Sequence, residues 1–472
     1  MEAIMSEEKK SKLLAKELFY KKKDIFEAKT AEERAKMMEF CDDYKKWLDN
    51  SKTEREAVCE MVKILSDAGF KEYKLGDAVK AGDKLYLNNR GKSLFAMTIG
   101  SEDINNGVRI IASHIDSPRL DLKPNPLFEN EGVGYFKTHY YGGVRKYQWT
   151  TIPLALHGVV TKADGTVVNV NIGEDAGDPV FCISDLLPHL AKDQNQKTLA
   201  QAFTGEGLNI MICSSPYIDE DGEVADDGVK LNVMAMLNEK YGIVETDFLS
   251  AELTAVPAGN SVDVGLDRWL VGGYGHDDRC CAYPSLRAIV EAGDTLHTNI
   301  VIFADKEETG SCGVTGMRCT LLMDIIINLA NALGGNETVI RQNSFCLSAD
   351  VAAAYDPNYP EVYEKRNSAI LHCGVAVAKY TGGGGKSSTN DTSAEVVGFV
   401  RRMFEENNVV WQMAELGKID QGGGGTVAMY ISEHNIDTID IGVPVISMHA
   451  PFEIISKADL YEAYEAFAAF CK

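Results

Sequence analysis

Val108-Arg-Ile-Ile-Ala-Ser-His-Ile-Asp-Ser-Pro118 is a short apolar run that ends on a histidine, an aspartate and a proline. Residues 108–113 predict a buried strand, and His114 closes it. In open α/β sheets, ligand sites lie outside the carboxyl ends of the strands. A histidine and a carboxylate at such an end therefore point to an α/β fold with its chemistry at one edge of the sheet.

The sequence on either side agrees. Upstream, the first seventy residues predict helices. Thr30-Ala-Glu-Glu33 and Thr53-Glu-Arg-Glu56 fit the capping-box pattern, and the second opens a segment with Val58, Met61, Val62 and Leu65 on one face, stopped near Gly69. Leu85 to Leu87 and Ser93 to Ile99 predict strands around the turn Asn88-Asn89-Arg90-Gly91. After Pro118 the texture changes. From Leu120 to Val256 come aromatic and β-branched runs with turn signals, such as Val159 to Val170 around Ala163-Asp164-Gly165, and no strongly amphipathic helix stands out early in this stretch. From about Gly273 the alternation returns. Asp278 to Glu291 and Thr392 to Glu406 predict helices; Asn299 to Asp305, Ser344 to Asp350 and Thr438 to Ser447 predict strands. Ser456-Lys-Ala-Asp459 caps a last helix. A chain of 472 residues has a prior of about three domains, and two large ones fit as well. The expected division is an α/β domain over residues 1–119 and 257–472, with a central mixed sheet flanked by helices, interrupted by a β-rich insertion over 120–256.

Composition narrows the function. Hydrophobic residues are 45% and charged residues 25%, which excludes a disordered chain. The net charge of −23 argues against nucleic-acid or anionic-membrane partners. No run approaches the roughly 18 apolar residues of a membrane span. The N-terminal stretch lacks the apolar core of a secretory leader. The 11 cysteines are odd in number and form no CxxC pair, the usage of reduced thiols in a cytoplasmic protein. Cys280 and Cys281 fall inside a predicted helix, and Cys312 and Cys319 are expected to be packed thiols.

Five clusters at strand ends or turns carry a histidine or carboxylate. They are His114 with Asp116, His276-Asp277-Asp278, Asp305-Lys-Glu307-Glu308, Asp350, and His449 in Ser447-Met-His-Ala-Pro451. Carboxylates are seldom placed at the ends of buried strands without a partner. Imidazole and carboxylate without thiolate suit a divalent ion such as zinc, manganese or cobalt. The glycine runs 382–385 and 422–425 match neither GxxxxGK[ST] nor GxGxxG, so they are expected to be flexible or backbone-exposing loops. The absence of GxSxG argues against a serine hydrolase of the α/β-hydrolase type.

Six motifs in one order then resemble the aspartyl aminopeptidase family, metal-dependent enzymes with two zinc ions. They are Ala112-Ser-His-Ile-Asp-Ser-Pro118, Thr138-His-Tyr-Tyr-Gly-Gly143, His276-Asp-Asp-Arg279, Asp305-Lys-Glu-Glu-Thr-Gly-Ser311, Ser348-Ala-Asp350 with Pro357-Asn-Tyr359, and Ser447-Met-His-Ala-Pro451. The resemblance implies a catalytic α/β domain interrupted by a β-rich domain used in dimer contacts. It further implies a cytoplasmic homo-oligomer, a dodecamer built from dimers, acting on peptides with free N-termini. It assigns His114, Asp277, Glu308, Asp350 and His449 as metal ligands, with Asp277 bridging two divalent ions. It assigns Glu307 as general base, and Asp116 as the group that orients His114. His157 matches an insertion-domain histidine that reaches the neighbouring subunit's active site. Three positions depart from the pattern. Ala353 and Asp356 stand where relatives often carry histidines, and Asp278 where many have Asn. A preference for N-terminal Asp or Glu would need a cation, for which Lys379 and Lys386, flanking the first glycine run, are the expected residues. The net charge opposes capture of acidic peptides at long range. The competing readings are a dinuclear hydrolase of N-acylated amino acids and a non-catalytic self-assembling protein of the same fold.

Overall fold

In the computed structural model, which describes residues 10–472, the strand Val108–His114 lies near the middle of a nine-stranded sheet. The first nine residues, part of the stretch in which no leader is expected, lie outside the described residues. Ile111 enters the core on one face of the sheet, while Val108, Ile110 and Ala112 enter the core on the other. Apolar side chains on both faces are what a strand covered by helices on both sides requires.

From edge to edge the sheet runs Lys71–Glu72, Lys84–Asn89, Ser93–Thr98, Thr298–Ala304, Val108–His114, Phe345–Ser348, Asp437–Gly442, Val375–Ala378 and Trp411–Met413. It is mixed. The four strands from Thr298–Ala304 to Asp437–Gly442 are mutually parallel, while Ser93–Thr98 and Val375–Ala378 flank them antiparallel. The helices Ala31–Asp49, Glu54–Asp67, His276–Glu291, Ala394–Glu406 and Lys457–Cys471 bury one face. Leu321–Leu333, Glu337–Asn343 and Ala428–Ser432 bury the other. Both capping boxes form: the Thr30 and Thr53 hydroxyls accept from the Glu33 and Glu56 amides, and the glutamates reach back to the cap amides. Ser456 caps the last helix, accepting from the amides of Ala458 and Asp459. Ser393 caps Ala394–Glu406, so that helix starts two residues later than expected.

Two expectations about elements change. The single strand expected over residues 438–447 is two strands in different sheets, Asp437–Gly442 and Pro444–Ile446. Pro444 has no N–H to continue a ladder. At Gly442 the chain also passes so close to the Asp350 carbonyl that a Cβ would lie 1.6 Å from its oxygen. The second change is in the insertion. Its six antiparallel strands, in the order Val167–Ile172, Leu154–Thr161, Ala251–Pro257, Arg119–Asn130, Val133–Tyr141 and Asn209–Cys213, enclose a separate core. They are accompanied by a 14-residue helix, Gly228–Tyr241. Only Gly228, Val229 and Val233 of that helix are buried, while Leu231 and Met236 face solvent, so its apolar residues form no continuous stripe.

All eleven cysteines are unpaired. Cys312 is exposed rather than packed, because it sits in the loop after the turn Glu307–Thr309, where Arg318 approaches its sulfur at 3.4 Å. Cys319 is half-buried. Among the described residues, no helix is long and apolar enough to cross a membrane.

Candidate metal centre

The register of the parallel strands gathers the site. Ala304 lies opposite His114, and Ser348 lies opposite Ala112, so the segments leaving all three strands meet at one edge of the sheet. Glu307 and Glu308 come from the turn after Thr298–Ala304, and Asp350 follows Phe345–Ser348. Asp277 arrives at the start of His276–Glu291. The backbone of Asp277 and Asp278 is non-helical, which sets both carboxylates ahead of the first regular turn. The Asp277 amide donates to Glu453 Oε2 at 3.0 Å, and the Ser117 hydroxyl donates to its carbonyl at 2.6 Å. His449 sits in a turn with φ +66°, and its amide donates to Glu453 Oε1 at 2.6 Å.

The two oxygens of Asp277 face different histidines. Oδ1 is 3.2 Å from His114 Nε2, and Oδ2 is 3.2 Å from His449 Nε2. Around His114 Nε2 stand Asp350 Oδ1 at 3.8 Å and Glu307 Oε2 at 4.0 Å; Glu308 Oε1 is 3.5 Å from His449 Nε2. Two ligand-like triads result, His114–Asp277–Asp350 and Asp277–Glu308–His449, sharing Asp277, and a third groups His114 with Glu307 and Glu308. Asp277 Oδ1 and Glu308 Oε1 are buried and make no hydrogen bond. Such orphaned anionic oxygens are costly unless a cation meets them. The residues therefore fit a divalent ion.

Asp116 does more than was expected of it. His114 Nδ1 lies 3.0 Å from the Asp116 backbone oxygen and 3.4 Å from Oδ1, which leaves Nε2 directed at Asp277. The same carboxylate accepts the amide of Glu307 on Oδ1 at 3.1 Å, and the amide of Glu308 on Oδ2 at 3.2 Å. Oδ2 also takes the Tyr141 hydroxyl at 2.7 Å. One buried carboxylate thus orders both glutamates and one histidine.

Electrostatics follow from packing these charges together. Burial pushes Glu307 up, and pushes Glu308 and Asp350 well above the usual carboxylate range. Burial opposes the charged form of His449, but its contact with Asp277 prevails and holds the imidazole at about 10. Burial likewise opposes ionisation of Asp277, and the two histidines outweigh it and hold the carboxyl low. Burial lifts Glu453 to about 8.

His114, Asp116, Asp277, Glu307, Glu308, Asp350 and His449 are therefore brought together. Asp305 is not: it turns inward and takes the Thr315 hydroxyl at 2.6 Å. His157 does not join this cluster within the chain. It is 1% exposed, with Nδ1 2.8 Å from Glu56 and Nε2 3.2 Å from Glu174 of its own chain. The lysines also stand apart. Lys386 pairs with Asp391 at 3.0 Å and lies over the Tyr380 ring, and neither it nor Lys379 lines the cavity beside the cluster.

That cavity, of ≈ 410 Å³, has no lysine or arginine among its lining residues. The two glycine runs meet next to it: a Cβ on Gly423 would lie 2.4 Å from Gly383 Cα. Ala352 and Ala353 line it as well, where bulkier residues would fill space. Five positions at the site escaped the sequence reading: Tyr141, Gly143, Glu453 and the cavity pair Glu415 and Asp440. Tyr141 and Gly143 fall inside the Thr138–Gly143 motif. The Gly143 carbonyl lies 3.1 Å from His449 Nδ1, so this insertion segment completes the histidine's surroundings. Glu453, Glu415 and Asp440 have no local signal.

The sequence model of the aminopeptidase I zinc metalloprotease (M18) family matches residues 47–471. A probable M18 family aminopeptidase 1 from Clostridium acetobutylicum is 49% identical over 437 residues, 91% of this chain and 93% of that protein. The crystal structure of an M18-family aminopeptidase from Thermotoga maritima superposes with a TM-score of 0.91 at 42% identity, covering 96% of this chain and all of that one. The S. cerevisiae mApe1 dodecamer shares the fold, with a TM-score of 0.73 at 21% identity over 92% of this chain and 95% of that one.

Proposed function

The chain belongs to the aminopeptidase I zinc metalloprotease (M18) family, and on that premise we propose that it removes N-terminal residues from peptides with two zinc ions held around Asp277. It is a metallo-aminopeptidase. The observation that carries the two-ion reading is the division of Asp277, one oxygen toward His114 and the other toward His449. His114 and Asp350 would hold one ion, Glu308 and His449 the other, and Asp277 both. When bound, the ions supply Lewis-acid polarisation of the scissile carbonyl and acidify water.

The chain's own residues do the rest. Glu307 Oε2 accepts the proton of the attacking water and passes it to the leaving amine nitrogen. Its position is supported by the hydrogen bond from its amide to Asp116. Asp116 and the Gly143 carbonyl fix the two imidazoles, so Nε2 of each faces inward. The cavity beside Glu307 receives the N-terminal side chain.

We assign residues 1–119 and 257–472 to the catalytic unit and 120–256 to an insertion that lends Tyr141 and Gly143 to it. Exposed Leu186, Leu187, Leu190 and Leu199 on that insertion favour its use in contacts between copies, as in a dodecamer built from dimers. The unpaired cysteines suit a reducing compartment such as the cytoplasm.

Metal titration of the full chain tests the central reading. Two equivalents of zinc per chain, with aminoacyl chromogenic substrates cleaved only in the loaded form, are expected. His449→Ala should hold one equivalent. A single equivalent in the active wild type would refute the two-ion arrangement.

A further inference from the structure

The cavity next to the cluster specifies a side chain, given the reading that its occupant is the N-terminal residue of a peptide. Ala376 and Ala378 on the strand Val375–Ala378, with Ala414 and Gly423–Gly425, keep its walls thin. Two carboxylates stand among them, Glu415 and Asp440. Asp440 is 3% exposed. The Thr426 hydroxyl donates to its Oδ1 at 2.7 Å, while Oδ2 has no hydrogen-bond partner. Glu415 is half-buried, positioned by the Tyr380 hydroxyl at 2.7 Å. No lysine or arginine lines this space to neutralise them.

Depth matches as well as charge. Asp440 is in register with Ser348, two residues before Asp350. Two strand residues span about 6–7 Å. A residue whose α-amine sits at the cluster would therefore bring a long side chain down to the level of Asp440. An acidic side chain there would face two carboxylates, whereas an ammonium would supply the missing donor to Oδ2.

We propose that this cavity selects a cationic N-terminal side chain, lysine above all, whose ammonium is met by Asp440 and Glu415. The net charge of −23 then assists, because it draws basic peptides in from a distance.

The test uses the zinc-loaded full chain with lysyl, leucyl and aspartyl chromogenic substrates, and with lysinamide and norleucinamide as competing ligands. Norleucinamide keeps the chain length and lacks the ammonium. Lysyl kcat/KM should exceed leucyl at least tenfold, with aspartyl the slowest. Glu415→Gln and Asp440→Asn should each lower the lysyl-to-leucyl ratio at least fivefold. Lysinamide should bind at least tenfold more tightly than norleucinamide by calorimetry. Equal binding of the two amides, or aspartyl hydrolysis as fast as lysyl, overturns the proposal while leaving the aminopeptidase reading in place. If neither variant folds, the amide comparison on wild type decides. If no substrate is turned over, the peptidase reading fails, and the same calorimetry still judges the cavity.

Discussion

Asp116→Asn is the most exacting perturbation of the centre, because the carboxylate serves several donors at once. Oδ1 takes the Glu307 amide at 3.1 Å and lies 3.4 Å from His114 Nδ1; Oδ2 takes the Glu308 amide at 3.2 Å and the Tyr141 hydroxyl at 2.7 Å. An asparagine is isosteric but has one acceptor oxygen, and its NH₂ must face one backbone amide. The Tyr141 hydroxyl can turn to accept, but a backbone N–H cannot. At least one charge-assisted hydrogen bond is lost, about 1.5–3 kcal/mol. If that loss falls on the ordering of the glutamates and His114, zinc affinity drops about 10- to 100-fold, the range for groups that support metal ligands. Competition against a fluorescent chelator reads the affinity, and circular dichroism confirms the fold. Tyr141→Phe removes one hydroxyl and should weaken zinc binding less. A folded Asp116→Asn protein with wild-type zinc affinity and wild-type kcat would refute the role given to this carboxylate.

Two further expectations can be checked with the same material. Glu307→Gln should keep its zinc and its fold but lose about 10²- to 10⁴-fold in kcat, since only the proton acceptor is removed; near-normal turnover would contradict the base assignment. His157 links stability to pH. Burial opposes its charge, but Glu174 and Glu56 outweigh that and raise it to about 9 from the ordinary 6.5. A raised histidine contributes stability that is fully present below about pH 6.5 and is lost as pH rises through about 9. The gap corresponds to about 3 kcal/mol at most. The excess stability of wild type over His157→Gln, from urea midpoints at pH 6 and pH 9.5, should therefore shrink on going alkaline, and a constant excess would refute the assignment.

Sequence alone determined what depends on local pattern. Val108 to Ser113 had to be a strand covered on both faces. Thr30 and Thr53 had to start helices, because their hydroxyls and the glutamates three residues on satisfy amides within one turn. The strand ends marked out His114, Glu307, Glu308, Asp350 and His449, because a buried strand that closes on polar groups needs somewhere to put them. Tertiary structure alone decided which partners those groups meet. Asp116 binds amides 191 and 192 residues away, and Glu453 accepts the Asp277 amide from 176 residues away. His157 is enclosed by Glu56 from the helix Glu54–Asp67, 101 residues away, a partner no periodicity announces. Glu415 and Asp440 face the cavity because strand order places Val375–Ala378 and Trp411–Met413 beyond Asp437–Gly442. Local pattern reports only which face of an element is buried. Register and strand order set the few ångströms over which charges and hydrogen bonds act, and they arise from packing between segments far apart in the chain.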